Sequence, residues 1–232
     1  MLEIVNIYRK TTSNTGDKFS KEIENKIIIF GGGGFLEQDY FKDYMNVLLE
    51  AKTKLLVGWG IGHNVHGACD ILYSSHKYSD KFDLLGVRDS TNYFEWVPCA
   101  SCMHPIFDKI SEVRNKIVIY EHKNFPLRGM NLNFPKMRNG DDFEEVIEFL
   151  GTAELIITNS YRGAYWATLL KRRVIIMQPF SSKFFGFHHP LMVANNFNVE
   201  DIDNVPIYPN ALKDAREANI SFSKKVFEKL GI

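Results

Sequence analysis

The sequence has 232 residues, of which 45% are hydrophobic and 24% are charged, values typical of a folded globular protein. Lys and Arg together number 28, as do Asp and Glu, and a formal net charge of zero disfavours nucleic acid as the main partner. There is no apolar run of about 18 residues for a membrane span, no secretory signal and no disulfide framework, since the sequence has three cysteines. We therefore expect a soluble cytoplasmic protein.

The first half of the chain alternates short apolar segments with glycine-rich or polar turns, a pattern that predicts parallel strands connected by helices. The predicted strands are residues 2–8, 26–30, 54–58, 84–87 and 94–97. A helix is predicted over residues 39–52, because apolar side chains recur there at helical spacing.

The chain turns polar around residues 110–116, where we place the boundary between an N-terminal lobe, residues 1–113, and a C-terminal lobe, residues 114–232. The second half repeats the order strand, helix, strand, helix, strand, at residues 116–120, 141–150, 154–157, 161–170 and 173–177. A final helix, residues 210–230, has an inner stripe of Leu212, Ala215, Ala218 or Asn219, Phe222 and Val226.

Unusual residues follow one predicted strand after another, at the ends where parallel α/β sheets bind ligands. The strings are Asn14-Thr15-Gly16-Asp17, Gly31-Gly32-Gly33-Gly34, Gly60-Ile61-Gly62-His63, Arg88-Asp89, His122-Lys123 and Asn159-Ser160-Tyr161-Arg162-Gly163. This recurrence predicts that one binding site is assembled from segments that are distant in the sequence.

The glycine run at 31–34 and a predicted second glycine loop at 58–64 suggest positive φ angles or the close approach of a ligand to the backbone. Exposed backbone N–H groups there can bind an anion. The alternative is a tight turn that packs closely on its neighbour. Neither loop has the full spacing of a dinucleotide-binding motif, and neither is a P-loop.

Several polar residues are candidate ligands for an anion. Ser160 is predicted to cap the helix that follows it, and the N-terminus of that helix, with Arg162 in its first turn, suits a phosphate or carboxylate. His122 is a titratable group beside a cation, and Lys183 is a second candidate cation. The alternatives are a plain capped helix with an exposed arginine, a structural histidine and a solvated lysine.

Neither the cysteines nor the adjacent histidines indicate a metal site. Cys99 and Cys102 form a single C-x-x-C pair, and Cys69 does not supply the second pair that a structural zinc needs. His188 and His189 lack acidic partners at a defined spacing. We therefore expect reduced, packed thiols and no metal.

Taken together, the ordered strings resemble the polysaccharide pyruvyl transferase family between about residues 14 and 190. The resemblance adds Gly58-Trp59-Gly60-Ile61-Gly62, Trp96-Val97-Pro98-Cys99-Ala100-Ser101-Cys102 and Pro179-Phe180-Ser181-Ser182-Lys183-Phe184 to the strings named above. It implies an α/β fold of two Rossmann-like lobes, similar to the GT-B glycosyltransferases, with a cleft between them and a C-terminal helix that can cross back to the first lobe.

The same resemblance implies a transferase that moves the pyruvyl group of phosphoenolpyruvate, a co-substrate, to sugar hydroxyls as a ketal, without a cofactor. The acceptor would be a glycan or a lipid-linked or nucleotide-linked sugar, with peripheral association to a membrane-bound glycan assembly pathway. Predicted catalytic residues are Asp17, His122 and Arg162. Predicted donor-binding residues are Gly32, Gly33, Gly60, His63, Arg88, Ser160, Arg162 and Lys183.

One residue departs from the family pattern. Arg162 stands where the family usually carries a histidine, and an arginine does not donate a proton near neutral pH. Either His122 or His63 supplies the proton, or the reaction is slow or lost, or the donor differs. Two alternatives therefore stay open, a glycosyltransferase that uses a nucleotide-sugar and a non-catalytic glycan-binding relative.

Overall fold

The computed structural model describes residues 4–7, 24–36, 46, 48, 50–67, 79–91, 93–109, 111–128, 133–195 and 199–232. These residues form a mixed α/β structure with two parallel sheets of five strands each. Among the described helices, none combines the length and the apolar character that a membrane span requires.

The first sheet takes all its strands from the first half of the chain, in the order β1-β2-β3-β4-β5. The strands are β1 (Ile4–Ile7), β2 (Ile27–Gly31), β3 (Leu55–Ile61), β4 (Leu84–Val87) and β5 (Glu95–Trp96). Every pairing is parallel, so the carboxyl ends of these strands share one edge of the sheet.

The second sheet has the order β10-β9-β8-β6-β7 and is also parallel throughout. Its strands are β6 (Asn115–Glu121), β7 (Lys136–Arg138), β8 (Ala153–Thr158), β9 (Arg173–Met177) and β10 (Met192–Ala194). The helices are α1 (Phe143–Gly151) before β8, α2 (Tyr161–Leu169) before β9 and the C-terminal α3 (Ala211–Leu230).

Alternation along β6 shows why the second sheet is buried on both faces. Val118 and Tyr120 pack in the cluster that contains α1 and α2, whereas Ile117 and Ile119 pack on the opposite face with Ile202 and other apolar residues. Successive side chains of a strand point to opposite faces. A continuous apolar run therefore covers both sides, as expected for a parallel sheet between two layers.

Most predicted elements of the second half are confirmed, with ends that move by one or two residues. Asp142 caps α1, because its Oδ1 accepts hydrogen bonds from the N–H groups of Glu144 (2.9 Å) and Glu145 (3.2 Å). Two strands, β7 and β10, were not predicted. Each is a three-residue edge strand: β7 has the polar sequence Lys-Met-Arg, and the apolar run of β10 is too short to predict a strand without its pairing to β9.

The prediction that a second glycine loop over 58–64 begins at Gly58 is wrong, because β3 continues to Ile61. The strand carries an irregularity between Trp59 and Ile61, where Gly60 adopts φ +64°. A Cβ on Gly60 would lie 3.1 Å from the carbonyl oxygen of Pro98. Glycine is therefore explained here by its backbone conformation and by close packing of another segment.

The predicted helix over residues 39–52 lies largely outside the described residues, although Asn46, Leu48 and Glu50 are helical. The loop that contains Asp17 lies outside them as well. The predicted division of the chain at residues 113 and 114 stays a prediction.

The C-terminal helix packs on the first sheet although it follows the second in the chain. Phe222 and Val226 of α3 belong to the same buried cluster as Leu55 and Val57 of β3. Trp59 donates a hydrogen bond from Nε1 to Oδ1 of Asn219 (2.8 Å), so a polar contact accompanies the apolar ones. The helix thereby links the end of the chain to the sheet formed by its beginning.

Truncation of Phe222 tests this packing. Because Phe222 is 1% exposed, we expect Phe222→Ala to lower the free energy of unfolding by about 3–5 kcal/mol in a urea titration. Phe227→Ala on the same helix is the matched control, since Phe227 is 50% exposed and its loss should cost less than about 1 kcal/mol. Equal losses for the two variants would contradict the described packing.

Candidate functional site

Backbone hydrogen bonds join the loops at the carboxyl ends of the two sheets. The segment after β3 pairs with the segment after β9: Gly67 donates from its N–H to the carbonyl of Phe180 (3.0 Å), and Ser182 donates to that of Val65 (2.9 Å). After β4, Ser90 donates to the carbonyl of Gly186 (2.8 Å). Polar side chains that follow strands of both sheets are thereby brought close together.

Arg88 follows β4 and is 8% exposed. Its Nη2 donates to the carbonyl oxygen of His63 (3.2 Å), and its Cζ lies 4.1 Å from the ring centroid of Tyr161, the first residue of α2. Its Nε lies 4.0 Å from Oδ1 of Asp89 and makes no hydrogen bond within the described ranges. An unused buried donor costs about 1–3 kcal/mol, so this N–H is suited to a ligand acceptor.

The loop beside Arg88 is held by its backbone. The fully buried Asp89 accepts a hydrogen bond through Oδ2 from the N–H of His63 (2.6 Å), and its charge offsets part of that of Arg88. Gly62 leaves room for this arrangement, because a Cβ there would lie 2.4 Å from Nε of Arg88. His63 therefore contributes to the site through its backbone N–H and C=O groups, which position Asp89 and Arg88.

Lys183 lies in a short 3-10 helix after β9, with its Nζ 4.3 Å from the ring centroid of Phe180 and 5.0 Å from that of Phe184. Burial, followed by the nearby charge of Arg88, lowers the pKa of Lys183 to about 8. Among the described residues, Lys183 forms no ion pair with a carboxylate. Its charge is therefore compensated chiefly by aromatic faces.

His122 follows β6, and its backbone N–H donates to Oδ1 of Asn159 (2.8 Å). Its ring lies 5.2 Å from that of Phe180, the residue that also lies beneath Lys183. Burial lowers the pKa of His122, and the charges of Lys183, Lys123 and His66 lower it further. Arg88, Lys183 and His122 thus form one group, which we call the cation cluster.

The glycine run after β2 lies beside the same loops. Gly62 donates a hydrogen bond from its N–H to the carbonyl of Gly33 (3.0 Å), which joins the run to the segment before His63. Gly32 and Gly33 have φ angles of +69° and +84°, as predicted for this run. A Cβ on Gly34 would lie 2.2 Å from Cβ of Asn64, so close packing of two loops accounts for that position.

The segment that begins α2 contacts both the cation cluster and a second region. Ser160 is the N-cap of α2, as predicted, and its Oγ accepts a hydrogen bond from the N–H of Gly163 (3.3 Å) while donating to Oδ1 of Asn139 (2.7 Å). Tyr161 faces Arg88, whereas Arg162 is exposed and lies near Tyr120; burial raises the pKa of Tyr120 to about 12, and the charge of Arg162 offsets part of this rise. Arg162 therefore lies apart from the cation cluster.

Arg162 instead lines a pocket of about 440 Å³. Tyr120, Phe143 and Trp166 form the aromatic part of its lining, and Asn139, Asp141 and His104 contribute polar groups. Cys99 and Ser101, between the two sheets in sequence, line it as well. Arg162 therefore lines this pocket and has no described contact with Arg88, Lys183 or His122.

Cys102, His188 and His189, for which the sequence predicts no metal site, make contacts within the fold. Cys102 is fully buried and its thiol pKa is raised to about 11 by burial, whereas Cys69 lies outside the described residues. His188 stacks on Trp96 at a centroid distance of 3.9 Å, and His189 contacts Asp214 (3.1 Å). Within the described ranges, no group of three or more His, Cys, Asp or Glu side chains could hold a metal ion.

No protein-family model matches the sequence, and no curated protein matches it either. The chemistry of the chain's own residues is therefore the basis for proposing a function. Two buried groups near the cation cluster lack hydrogen-bond partners among the described residues, Nε of Arg88 and Oγ of Ser181. Positive charges and spare donors in one place suit a small anion.

Three aromatic residues of the site, Tyr161, Phe180 and Phe184, were not predicted to contribute. Each lies one to three residues from a polar candidate in the sequence. Phe180 and Phe184 flank Lys183 in the same segment, whereas Arg88 and Tyr161 come from different strand ends, and the sequence contains no signal that these two meet. Only the pairing of the loops brings Arg88 over Tyr161.

The pKa of Lys183 tests the proximity of the two cations. In ¹³C NMR of protein labelled at the lysine side chains, Lys183 should titrate near pH 8, and Arg88→Gln should raise that pKa by removing a neighbouring positive charge. The Lys183→Arg spectrum assigns the resonance, and circular dichroism checks the fold. A Lys183 pKa that does not respond to Arg88→Gln would show that the two cations are not neighbours.

Proposed function

We propose that the chain is a transferase that moves the pyruvyl group of phosphoenolpyruvate to sugar hydroxyls as a ketal. The donor carries a phosphate and a carboxylate, and the cation cluster offers Arg88 and Lys183 to bind them. This cluster is the observation that carries the proposal, because the charge of Arg88 acts on the buried Lys183 and Nε of Arg88 has no acceptor among the described residues.

Charge and burial explain why the cluster favours an anionic donor. A buried cation beside another cation is destabilised, and for Lys183 this effect appears as its lowered pKa. A bound phosphate would remove the repulsion and accept hydrogen bonds from Lys183 and from Nε of Arg88. Charge-assisted hydrogen bonds of this kind are roughly twice as strong as neutral ones.

The proposed reaction starts with proton transfer from His122 to the methylene carbon of the donor, which leaves a cationic centre at the adjacent carbon. A sugar hydroxyl attacks that carbon, and its proton returns to His122. A second hydroxyl then closes the ring as the bond to the phosphate oxygen breaks, and its proton leaves with the phosphate. Arg88 and Lys183 stabilise the charge on the departing phosphate.

The surroundings of His122 fit this role once the donor is bound. In the free protein, burial and the charge of Lys183 lower its pKa, so the imidazolium is disfavoured. A phosphate at Lys183 cancels one of the charges that lower this pKa, and His122 becomes a better proton carrier near neutral pH. Nδ1 of His122 accepts a hydrogen bond from the N–H of Asn124 (3.3 Å), so in the free protein the neutral ring carries its proton on Nε2, and protonation of the ring on donor binding breaks this bond.

The proposed function uses a specific arrangement of the α/β fold, in which two GT-B-like lobes enclose a cleft. Two parallel sheets whose carboxyl-end loops are hydrogen-bonded to each other support it. In this proposal Arg162 has no role in proton transfer, and Asp17 retains its predicted role of orienting the acceptor or a loop.

The pH dependence of donor binding tests the role of Lys183. Binding needs the protonated amine, and its pKa in the free protein is about 8, so the dissociation constant of phosphoenolpyruvate should rise about tenfold per pH unit above 8. Isothermal titration calorimetry between pH 7 and 9.5 measures this. Lys183→Arg, which keeps its charge throughout this range, should abolish the dependence, and Lys183→Ala should weaken binding about 10–100-fold at pH 7.

Turnover measurements distinguish the proposed pyruvyl transferase from the two alternatives, a glycosyltransferase and a non-catalytic glycan-binding relative. Phosphate release from phosphoenolpyruvate with a panel of sugar acceptors should fall about 10²–10⁴-fold in His122→Asn, while donor binding is retained. Stabilisation against heat by UDP- or GDP-sugars but not by phosphoenolpyruvate would favour a glycosyltransferase instead. Donor binding without phosphate release from any acceptor would favour a non-catalytic relative.

A further inference from the structure

The pocket that contains Arg162 differs in charge from the cation cluster. Among the residues that the structure describes, its lining carries one arginine and one aspartate, Arg162 and Asp141, whose formal charges cancel. The cluster, by contrast, combines Arg88 and Lys183 with one carboxylate from the described part of the chain, that of Asp89. A phosphate or carboxylate is therefore favoured at the cluster, whereas the pocket favours a neutral ligand.

The walls of the pocket combine aromatic surface with planar hydrogen-bonding groups. Phe143 is half-buried and lies in edge contact with Trp166 at a centroid distance of 5.2 Å. On the polar side, Oδ1 of Asn139 accepts a hydrogen bond from Ser160, so the donor end of this amide is the part that a ligand would use. Oδ2 of Asp141 accepts from the N–H of Arg138 (3.0 Å), which holds the carboxylate at the rim.

We infer that this pocket binds an uncharged pyranose ring, and that it is the acceptor subsite of the proposed pyruvyl transfer. A pyranose has an apolar C–H face, which aromatic side chains contact, and hydroxyl groups around its edge. Asp141 accepts hydrogen bonds from hydroxyls, whereas Asn139 and Arg162 donate to them. The volume of about 440 Å³ lies within the range of about 300–1,000 Å³ for small-molecule sites.

The start of α2 joins this pocket to the cation cluster. Asn159 accepts a hydrogen bond from the backbone N–H of His122, and the next residue, Ser160, donates to Asn139 of the pocket. Tyr161 then lies beneath Arg88, and Arg162 lines the pocket. Four consecutive residues therefore contact the donor side and the acceptor side, and the two substrates would bind next to each other.

Saturation-transfer difference NMR with methyl glycosides of glucose, galactose and mannose, without phosphoenolpyruvate, tests this subsite. We expect at least one of them to bind, and Arg162→Ala and Asp141→Asn to weaken its binding at least fivefold. Both residues are exposed, so these variants should keep the fold. Phe143→Leu, which keeps an apolar side chain but loses the ring, should weaken it as well. Lys183→Ala is the matched control and should leave sugar binding unchanged.

The outcomes separate this inference, which rests on the proposed function, from that function itself. Sugar binding that depends on Arg162, in a protein that does not bind phosphoenolpyruvate, would support the pocket and overturn pyruvyl transfer. The subsite is overturned if none of the glycosides binds, or if binding is indifferent to Arg162→Ala and Asp141→Asn. It is also overturned if Arg162→Ala abolishes phosphoenolpyruvate binding and leaves sugar binding intact, since Arg162 would then serve the donor.

Discussion

The hydrogen bonds between the loop after β3 and the loop after β9 are the constraint on which the site depends. Gly67, in the loop after β3, and Ser182, in the loop after β9, donate the two hydrogen bonds that join these loops. Ser182 is followed directly by Lys183 of the cation cluster. Parallel sheets bind ligands at the carboxyl ends of their strands, and these hydrogen bonds bring the carboxyl-end loops of two separate sheets together. The pairing places Lys183, from the second half of the chain, near Arg88 from the first.

Electrostatic repulsion within the cation cluster is tolerated because aromatic rings and one carboxylate reduce it. Tyr161 lies beneath Arg88, Phe180 beneath Lys183, and Asp89 beside Arg88. The remaining excess of positive charge is typical of a site whose ligand supplies the missing negative charge. Perturbed pKa values also arise in purely structural networks, but here they coincide with buried donors that have no protein acceptor among the described residues.

Separation of Arg162 from this cluster changes the chemistry expected of the helix start. The N-cap geometry of Ser160 sets the direction of each side chain that follows, and successive helical residues differ in direction by about 100°. Tyr161 and Arg162 therefore face different regions. The angular position of a residue around the helix axis determines which region its side chain contacts. For Arg162 that region is the aromatic pocket.

The sequence by itself determined the parallel α/β class, the two strand-rich halves, the cap of α2 and the strand ends at which Arg88, His122 and Lys183 lie. Apolar runs and helix caps are local patterns, so they can be read without coordinates. Only the tertiary structure decided that β3 runs through Gly60, that edge strands β7 and β10 pair, and that Arg162 leaves the cluster. These features depend on contacts between residues far apart in the chain, which no local pattern encodes.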